Sequence, residues 1–324
     1  MIETKIGKKV FKSPFWVGSS DLIDTSEQAE EVLKYGKDML GTIVWKTTTM
    51  EPRKGYKKPR ICDFYGGFLV ASGMKNIGLQ GTIKEIHKFK ERNAGQSVIL
   101  SIASVNFGNP VEEFIEMTKQ IKNLPIDGVE LNLSCPHQVA GEKYQTELLA
   151  QNADLVGKIV KEVKNILKDT DKVVIVKLTG WNSDIAKISK NAESSGADAI
   201  TVSNIFPGMG YYTGLTEHKN GYSYEIGEPL LGNFKGGYTG EAMLPATLLI
   251  VNTVANAVKL PIIATGGCMA SNDAMLQAFL AGASVIASAT FYYDNDCEKC
   301  RDFSKELIER KSILEKYVKE KIIR

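Results

Sequence analysis

Short apolar runs rich in Val, Ile and Thr recur along the chain, and most are followed by a longer stretch whose apolar residues repeat at helical spacing. That alternation marks βα units around a parallel sheet, whose strands are covered on both faces and read as nearly continuous hydrophobic runs. Eight runs qualify: FWVGSS from Phe15, TIVWKT from Thr42, SVILSIAS from Ser97, GVELNLS from Gly128, VVIVKLT from Val173, AITVSN from Ala199, PIIATGG from Pro261 and SVIASAT from Ser284. Helical stretches lie between them, such as SEQAEEVLKYGKDM from Ser26, NADLVGKIVKEVKNIL from Asn152 and SNDAMLQAFLAG from Ser271, each opening on a capping-type Ser or Asn. Eight strands, each followed by a helix, close a barrel. An open doubly wound sheet needs a G-x-G-x-x-G turn after its first strand, and the segment there reads VGSSDL. The pattern predicts one α/β domain over residues 1–324, a (β/α)8 TIM barrel.

Two stretches exceed the bare repeat. Glu51 to Gly81 follows the second strand and Phe206 to Gly237 the sixth; both are long, aromatic and Gly-rich. Each leaves the C-terminal end of a strand, the face where barrels place their chemistry, so both are expected to cover a site.

Composition narrows the partner. Forty Lys and Arg against 38 Asp and Glu give a formal charge of +2, so no global field favours nucleic acid or an anionic membrane. No apolar run is long enough for a signal peptide or a membrane span, which points to a cytoplasmic protein acting on a small molecule. The five cysteines are odd in number and scattered, unlike a disulfide framework. Cys297 and Cys300 form a C-x-x-C pair with no second pair and no histidine nearby, so no metal site is expected.

Polar residues gather at the C-terminal ends of the strands: Ser19, Lys46, Thr47, Ser101, Asn132, Ser134, Lys177, Ser203, Asn204 and Thr290. A lysine inside an apolar run such as VVIVKLT demands a partner or a use, because an uncompensated buried ammonium costs several kcal/mol. Two lysines at one mouth suit a ring that gains negative charge on reduction, as a flavin does. The same lysines would equally suit an aldolase or lyase that forms a Schiff base, if one amine were desolvated. Strands seven and eight end in ATGG and SAT, where barrels commonly bind phosphate through backbone N–H groups; Gly266, Gly267, Ala289 and Thr290 are the candidates. The densest motif is ELNLSCPH, Glu130 to His137. Its Cys135 is either a small buried residue or a thiolate base on a loop restrained by the following proline.

With these motifs in order the chain resembles the dihydroorotate dehydrogenases of the soluble, cysteine-using branch, and the pyrimidine-binding domain of dihydropyrimidine dehydrogenase. The likeness spans nearly the whole chain through KTTTMEPRKGYKKPR, NIGLQG, ELNLSCPH, IVKLTGW, TVSN, GGYTG and ATGG. It implies a flavoprotein of pyrimidine biosynthesis holding FMN. The phosphate would lie on Gly266, Gly267, Ala289 and Thr290, with further contacts from Gly18, Ser19, Thr47, Ser101, Ser203, Thr239 and Gly240. Lys46, Asn132, Lys177 and Asn204 would surround the isoalloxazine and the substrate, with Lys75, Asn76 and His137 also at the substrate. By the same likeness Cys135 removes a proton from C5 of dihydroorotate while C6 gives hydride to flavin N5, with Lys46 assisting.

Departures from the family pattern fall mainly at the substrate end. Lys75 and His137 stand where the family usually has asparagines that hydrogen-bond the pyrimidine, which leaves another pyrimidine or another conjugated C=C compound as an alternative substrate. Ser101, Ile205 and Ala289 are milder changes beside the cofactor. The chain has no four-cysteine cluster motif and no second nucleotide fingerprint. The resemblance includes homodimers and complexes with an electron-transfer subunit; a homodimer is the expectation.

Overall fold

The computed structural model describes residues 2–106, 108–134, 149–181, 184–203, 205–218, 221–293 and 300–323. All eight expected runs become strands: β1 (Phe15–Val17), β2 (Thr42–Thr48), β3 (Val98–Ile102), β4 (Gly128–Asn132), β5 (Val173–Lys177), β6 (Ala199–Val202), β7 (Ile262–Ala264) and β8 (Val285–Ser288). Each pairs in parallel with its neighbours, and β8 pairs with β1 through Ile286 and Phe15, closing the barrel. Among the described residues eight α-helices follow: α1 (Ser26–Gly36), α2 (Gly78–Arg92), α3 (Pro110–Ile121), α4 (Ala153–Leu167), α5 (Ile185–Ser194), α6 (Leu244–Ala257), α7 (Asn272–Leu280) and α8 (Ser304–Lys319). Among the described residues no helix is long and apolar enough to cross a membrane.

Strand periodicity explains both the core and the placing of charge. In β5, Val174 and Val176 face outward into the layer beneath the helices, whereas Val173 and Ile175 belong to the interior cluster and Lys177 is two residues further up the same face. In β4, Val129 and Leu131 are in the outer layer, so Glu130 and Asn132 take the inner one. The lower interior is filled by Trp16, Val44, Ile99, Ile263 and their neighbours, together with Ile6 and Phe11 of an N-terminal hairpin, Thr4–Ile6 with Lys9–Phe11. The Phe11 ring packs at a tilt against Trp16 with centroids 4.7 Å apart, and Lys9 pairs with Asp127 at 3.1 Å and Asp171 at 2.6 Å, so the hairpin seals the bottom of the barrel.

The two long segments do cover the upper end, through a device absent from the strand pattern. They pair into a four-stranded antiparallel sheet in the order Phe206–Met209, Lys235–Gly240, Gly67–Val70, Ile61–Phe64. Cys62, Leu69, Ala71, Leu230 and Leu231 form its own small apolar core.

Asn152 and Ser271 cap α4 and α7 as expected, but the cap of α1 is Thr25, one residue earlier than the expected Ser26. Thr25 Oγ1 accepts from Gln28 N at 3.3 Å, and Gln28 Oε1 accepts from Thr25 N at 3.1 Å, a reciprocal capping box. The Ser26 N–H instead donates to Glu85 of α2. Thr25→Ala is expected to lower the unfolding free energy by about 1 kcal/mol in urea titration, whereas Ser26→Ala should leave the cap intact.

Candidate functional site

Above the apolar floor the barrel opens into a cavity lined from every strand but β3, and walled by Arg60, Ile61, Val70 and Thr239 of the accessory sheet and its approach. Of the residues singled out in the sequence, Gly18, Ser19, Lys46, Thr47, Asn132, Lys177, Ser203, Thr239, Gly266, Ala289 and Thr290 line it. Gly240 and Gly267 lie behind, facing an adjoining cavity that shares Ser288 and Thr290 with the first. Cys135, His137 and Asn204 lie outside the described residues, as does Cys297.

Lys46 and Thr47 are adjacent yet both reach the cavity. Pairing of β2 with β3 slips between Trp45 and Thr48, and the Lys46 N–H donates to Ile23 O at 2.8 Å. Such a bulge rotates successive side chains off strict alternation. Lys46 Nζ then lies 2.9 Å from Asp21 Oδ1. Partial desolvation at the cavity would raise the Asp21 carboxyl, whose side chain is still 48% exposed, but Lys46, aided by Lys75 and Arg60, outweighs it and holds Asp21 below the usual carboxylate range. Asp24, behind Lys46, goes the other way: burial pushes its carboxyl up and Lys46 only partly offsets it.

The cavity floor is a connected polar layer centred on Glu130, which is 3% exposed. Its Oε1 accepts from Ser101 Oγ at 2.9 Å and lies 3.8 Å from Lys177 Nζ; its Oε2 accepts from Thr201 Oγ1 at 3.1 Å. Ser101 Oγ also meets Thr47 Oγ1 at 2.9 Å, and Thr47 Oγ1 accepts from Asn132 Nδ2 at 3.1 Å and meets Ser19 Oγ at 3.0 Å. Ser101 is thus wholly buried beneath the cavity and acts through Thr47 and Glu130. Both lysines, though buried, face carboxylates, Lys46 that of Asp21 and Lys177 that of Glu130, which is unlike the cation-flanked surroundings that activate an imine-forming amine.

The rim at β7 and β8 is built on two glycines of positive φ. Gly266 and Gly267 adopt φ of +97° and +79°, and a Cβ on Gly267 would stand 2.9 Å from Gly240 O and 3.0 Å from Leu244 N. Only glycine fits there, which leaves the turn's backbone bare. Among the described residues, no hydrogen bond is donated by the backbone N–H of Gly266, Gly267, Ala289 or Thr290. Ser20 Oγ and Ser203 Oγ, both buried and both on cavity-lining residues, likewise lack partners. Orphaned buried donors beside two ammonium groups fit a phosphorylated, electron-accepting ring.

Two expected substrate residues are placed differently. Lys75 is exposed and outside the cavity lining, and Asn76 is turned into its own loop. Its Oδ1 accepts from Thr48 Oγ1, Thr49 N and Gly78 N, and its Nδ2 donates to Thr49 Oγ1 and Met74 O. That amide is saturated by the protein and braces the entry to α2. Conversely, Ser20, Asp21, Arg60, Thr265 and Glu130 were not singled out as site residues. Glu130 carries a physical signal in the sequence, being a charge inside an apolar run as Lys177 is, while Arg60 and Thr265 lie within the motifs KTTTMEPRKGYKKPR and ATGG.

Fold and site together define a (β/α)8 barrel with a polar cavity at the C-terminal ends of its strands, where enzymes of this fold place their chemistry. The chain belongs to the dihydroorotate dehydrogenase family, whose model matches residues 1–310. It is similar to the catalytic subunit of the NAD(+)-linked dihydroorotate dehydrogenase B of Alkaliphilus metalliredigens, with 34% identity over 299 residues and 90% of each chain covered. The proteins of the same description from Methanocaldococcus jannaschii (30% over 313 residues, 94% of each chain) and Pyrococcus abyssi (32% over 293 residues, 90% of this chain and 88% of the relative) agree. The family consists of flavin-dependent oxidoreductases acting on CH–CH bonds.

Proposed function

We propose that this chain binds FMN and oxidises dihydroorotate to orotate, as the cytoplasmic catalytic subunit of an assembly whose electron acceptor is handled by a second polypeptide. The observation that carries the reading is the pairing of bare N–H groups at Gly266, Ala289 and Thr290 with Lys46 and Lys177 in one cavity, with the bare N–H of Gly267 at the adjoining one. The four N–H groups would hold the phosphate. When bound, FMN supplies the hydride acceptor that the protein lacks. Lys46 and Lys177 would supply positive charge to stabilise the negative charge of the reduced ring, and Glu130, 3.8 Å from Lys177 Nζ, holds that ammonium from below. Asn132, held by Thr47, and the orphaned Ser203 hydroxyl offer polar contacts to the ring and the substrate. Cys135, three residues beyond Asn132 in sequence, serves as the base that takes the C5 proton. The relatives' description as catalytic subunits favours a separate electron-transfer partner over the homodimer that the sequence suggests.

The test is optical. Purified protein should carry flavin absorbance and release FMN on denaturation, and orotate should shift that spectrum with saturation at micromolar concentration. A colourless protein that FMN cannot reconstitute would overturn the flavin reading. Flavin present but indifferent to millimolar orotate would overturn the substrate.

A further inference from the structure

The accessory sheet brings together three metal-ligating side chains that the barrel chemistry does not use. Cys62 and Asp63 sit on the strand Ile61–Phe64, and His218 comes from the segment after β6, 155 residues further on. Their donor atoms, one each from thiol, carboxylate and imidazole, all lie within 4.8 Å of one another. We propose that Cys62, Asp63 and His218 form a binding site for a transition-metal ion of the zinc class, which straps the segment after β6 to the outer strand of the accessory sheet.

The donor set fits that class of ion. Zinc takes thiolate, imidazole and carboxylate together, at about 2.3 Å from sulfur and 2.0–2.2 Å from nitrogen and oxygen, so tetrahedral donors stand roughly 3.5 Å apart. Side-chain movement of about 1 Å closes the present cluster to that spacing. Calcium and magnesium want all-oxygen shells and would not choose it. Burial is graded in the useful sense: Cys62 is 1% exposed, the His218 side chain 7% and the Asp63 side chain 47%. The thiol and ring are therefore held dry while the carboxylate faces water, which supplies the fourth position. The rings of Tyr212 and Tyr224 each lie 6.2 Å from that of His218, and Leu69 and Leu230 pack in the same cluster as Cys62, making a shell of low polarity.

Position gives the strap its consequence. His218 Nδ1 already meets Asp63 O at 3.1 Å and Oδ1 at 3.4 Å, so the ring is oriented on this strand before any ion arrives. Ile61, next to Cys62, lines the main cavity, and Asp63 lines the adjoining one. An ion here would stiffen the wall between the two cavities by closing a loop of about 150 residues, the kind of closure in which a metal clip gains most. On binding, the Cys62 S–H bond breaks, its proton goes to solvent, and an S–metal bond forms.

The experiment uses the full chain, stripped with a chelator and desalted, and it is read without substrate or flavin turnover. Zinc is titrated against a chromophoric chelator, and cobalt(II) is titrated while the thiolate-to-metal charge-transfer absorption is followed. One zinc per chain is expected, with a rise in Tm and a cobalt–thiolate band. Cys62→Ser should abolish that band, and His218→Ala should weaken zinc by more than the ~10²-fold that loss of a supporting group costs; Cys268→Ser and Cys300→Ser should change neither. If Cys62→Ser fails to fold, His218→Gln carries the test alone. Failure of zinc to compete with the chelator, or a cobalt band that persists in Cys62→Ser or zinc affinity unchanged in the His218 variants, would overturn the proposal, whatever the barrel cavity proves to bind.

Discussion

Cys135→Ser is expected to keep its bound flavin and to reduce it with dihydroorotate at least about 10²-fold more slowly, the lower range of what a positioned base contributes. If Cys135 acts as the proposed base, the substitution changes a proton acceptor and not a cofactor contact, so cofactor content and oxidised spectrum should match the wild type. A serine hydroxyl is a far weaker base than a thiolate near neutral pH, so wild-type flavin reduction should accelerate as pH rises through the thiol pKa, and the variant should lose that limb. Stopped-flow reduction across pH is the measurement; a variant as fast as the wild type would remove Cys135 from the chemistry. Neither Cys62 nor Cys268 can take over, because burial pushes each thiol up to about 12 and keeps it protonated in this range.

Lys177→Met is expected to lower the unfolding free energy of the flavin-free protein by about 3 kcal/mol, the lower edge for removing one member of a buried ion pair. The lower edge applies because Glu130 keeps its hydrogen bonds from Ser101 and Thr201. What it loses is the ammonium 3.8 Å from Oε1 that offsets a carboxylate only 3% exposed. The double variant Lys177→Met/Glu130→Gln should recover much of the loss, since a neutral amide can remain buried on the same hydroxyls. Urea titrations of the four members of that cycle give the coupling directly. Independent, additive effects would mean that the two side chains do not compensate one another.

The parts of this architecture legible in the sequence are those that local pattern dictates. β4 and β5 were visible because burial on both faces forces an apolar run, and Lys177 stood out because that run has no place for an unpartnered charge. The same logic applied to Glu130 would have exposed the floor of the site. The accessory sheet gave no such signal. Its strands FPGM and KGGYTG are short, Gly-rich and poor in β-branched residues, and Gly67–Val70 finds its partner in Lys235–Gly240, far along the chain. Asn76 shows the opposite failure: a polar residue in a family motif suggests a ligand contact, whereas its amide is consumed by Thr48, Thr49, Met74 and Gly78. Whether an amide faces a ligand or its own loop depends on backbone direction, which residue type and spacing do not encode.

The pairing of Gly67–Val70 with Lys235–Gly240 also orders events in time. The barrel strands between them, β3 to β6, form from neighbouring βα units, whereas this pairing must wait for a closure spanning more than half the chain. The rim at Gly266 and Thr290 is synthesised later still. During synthesis the apolar floor, which takes Ile263 from β7 and Val285 and Ala287 from β8, and the chamber above it are therefore both completed only when the last two strands emerge. Cofactor capture is then a late event, and ribosome-bound or truncated chains ending before β7 should bury much of a core yet hold no cofactor.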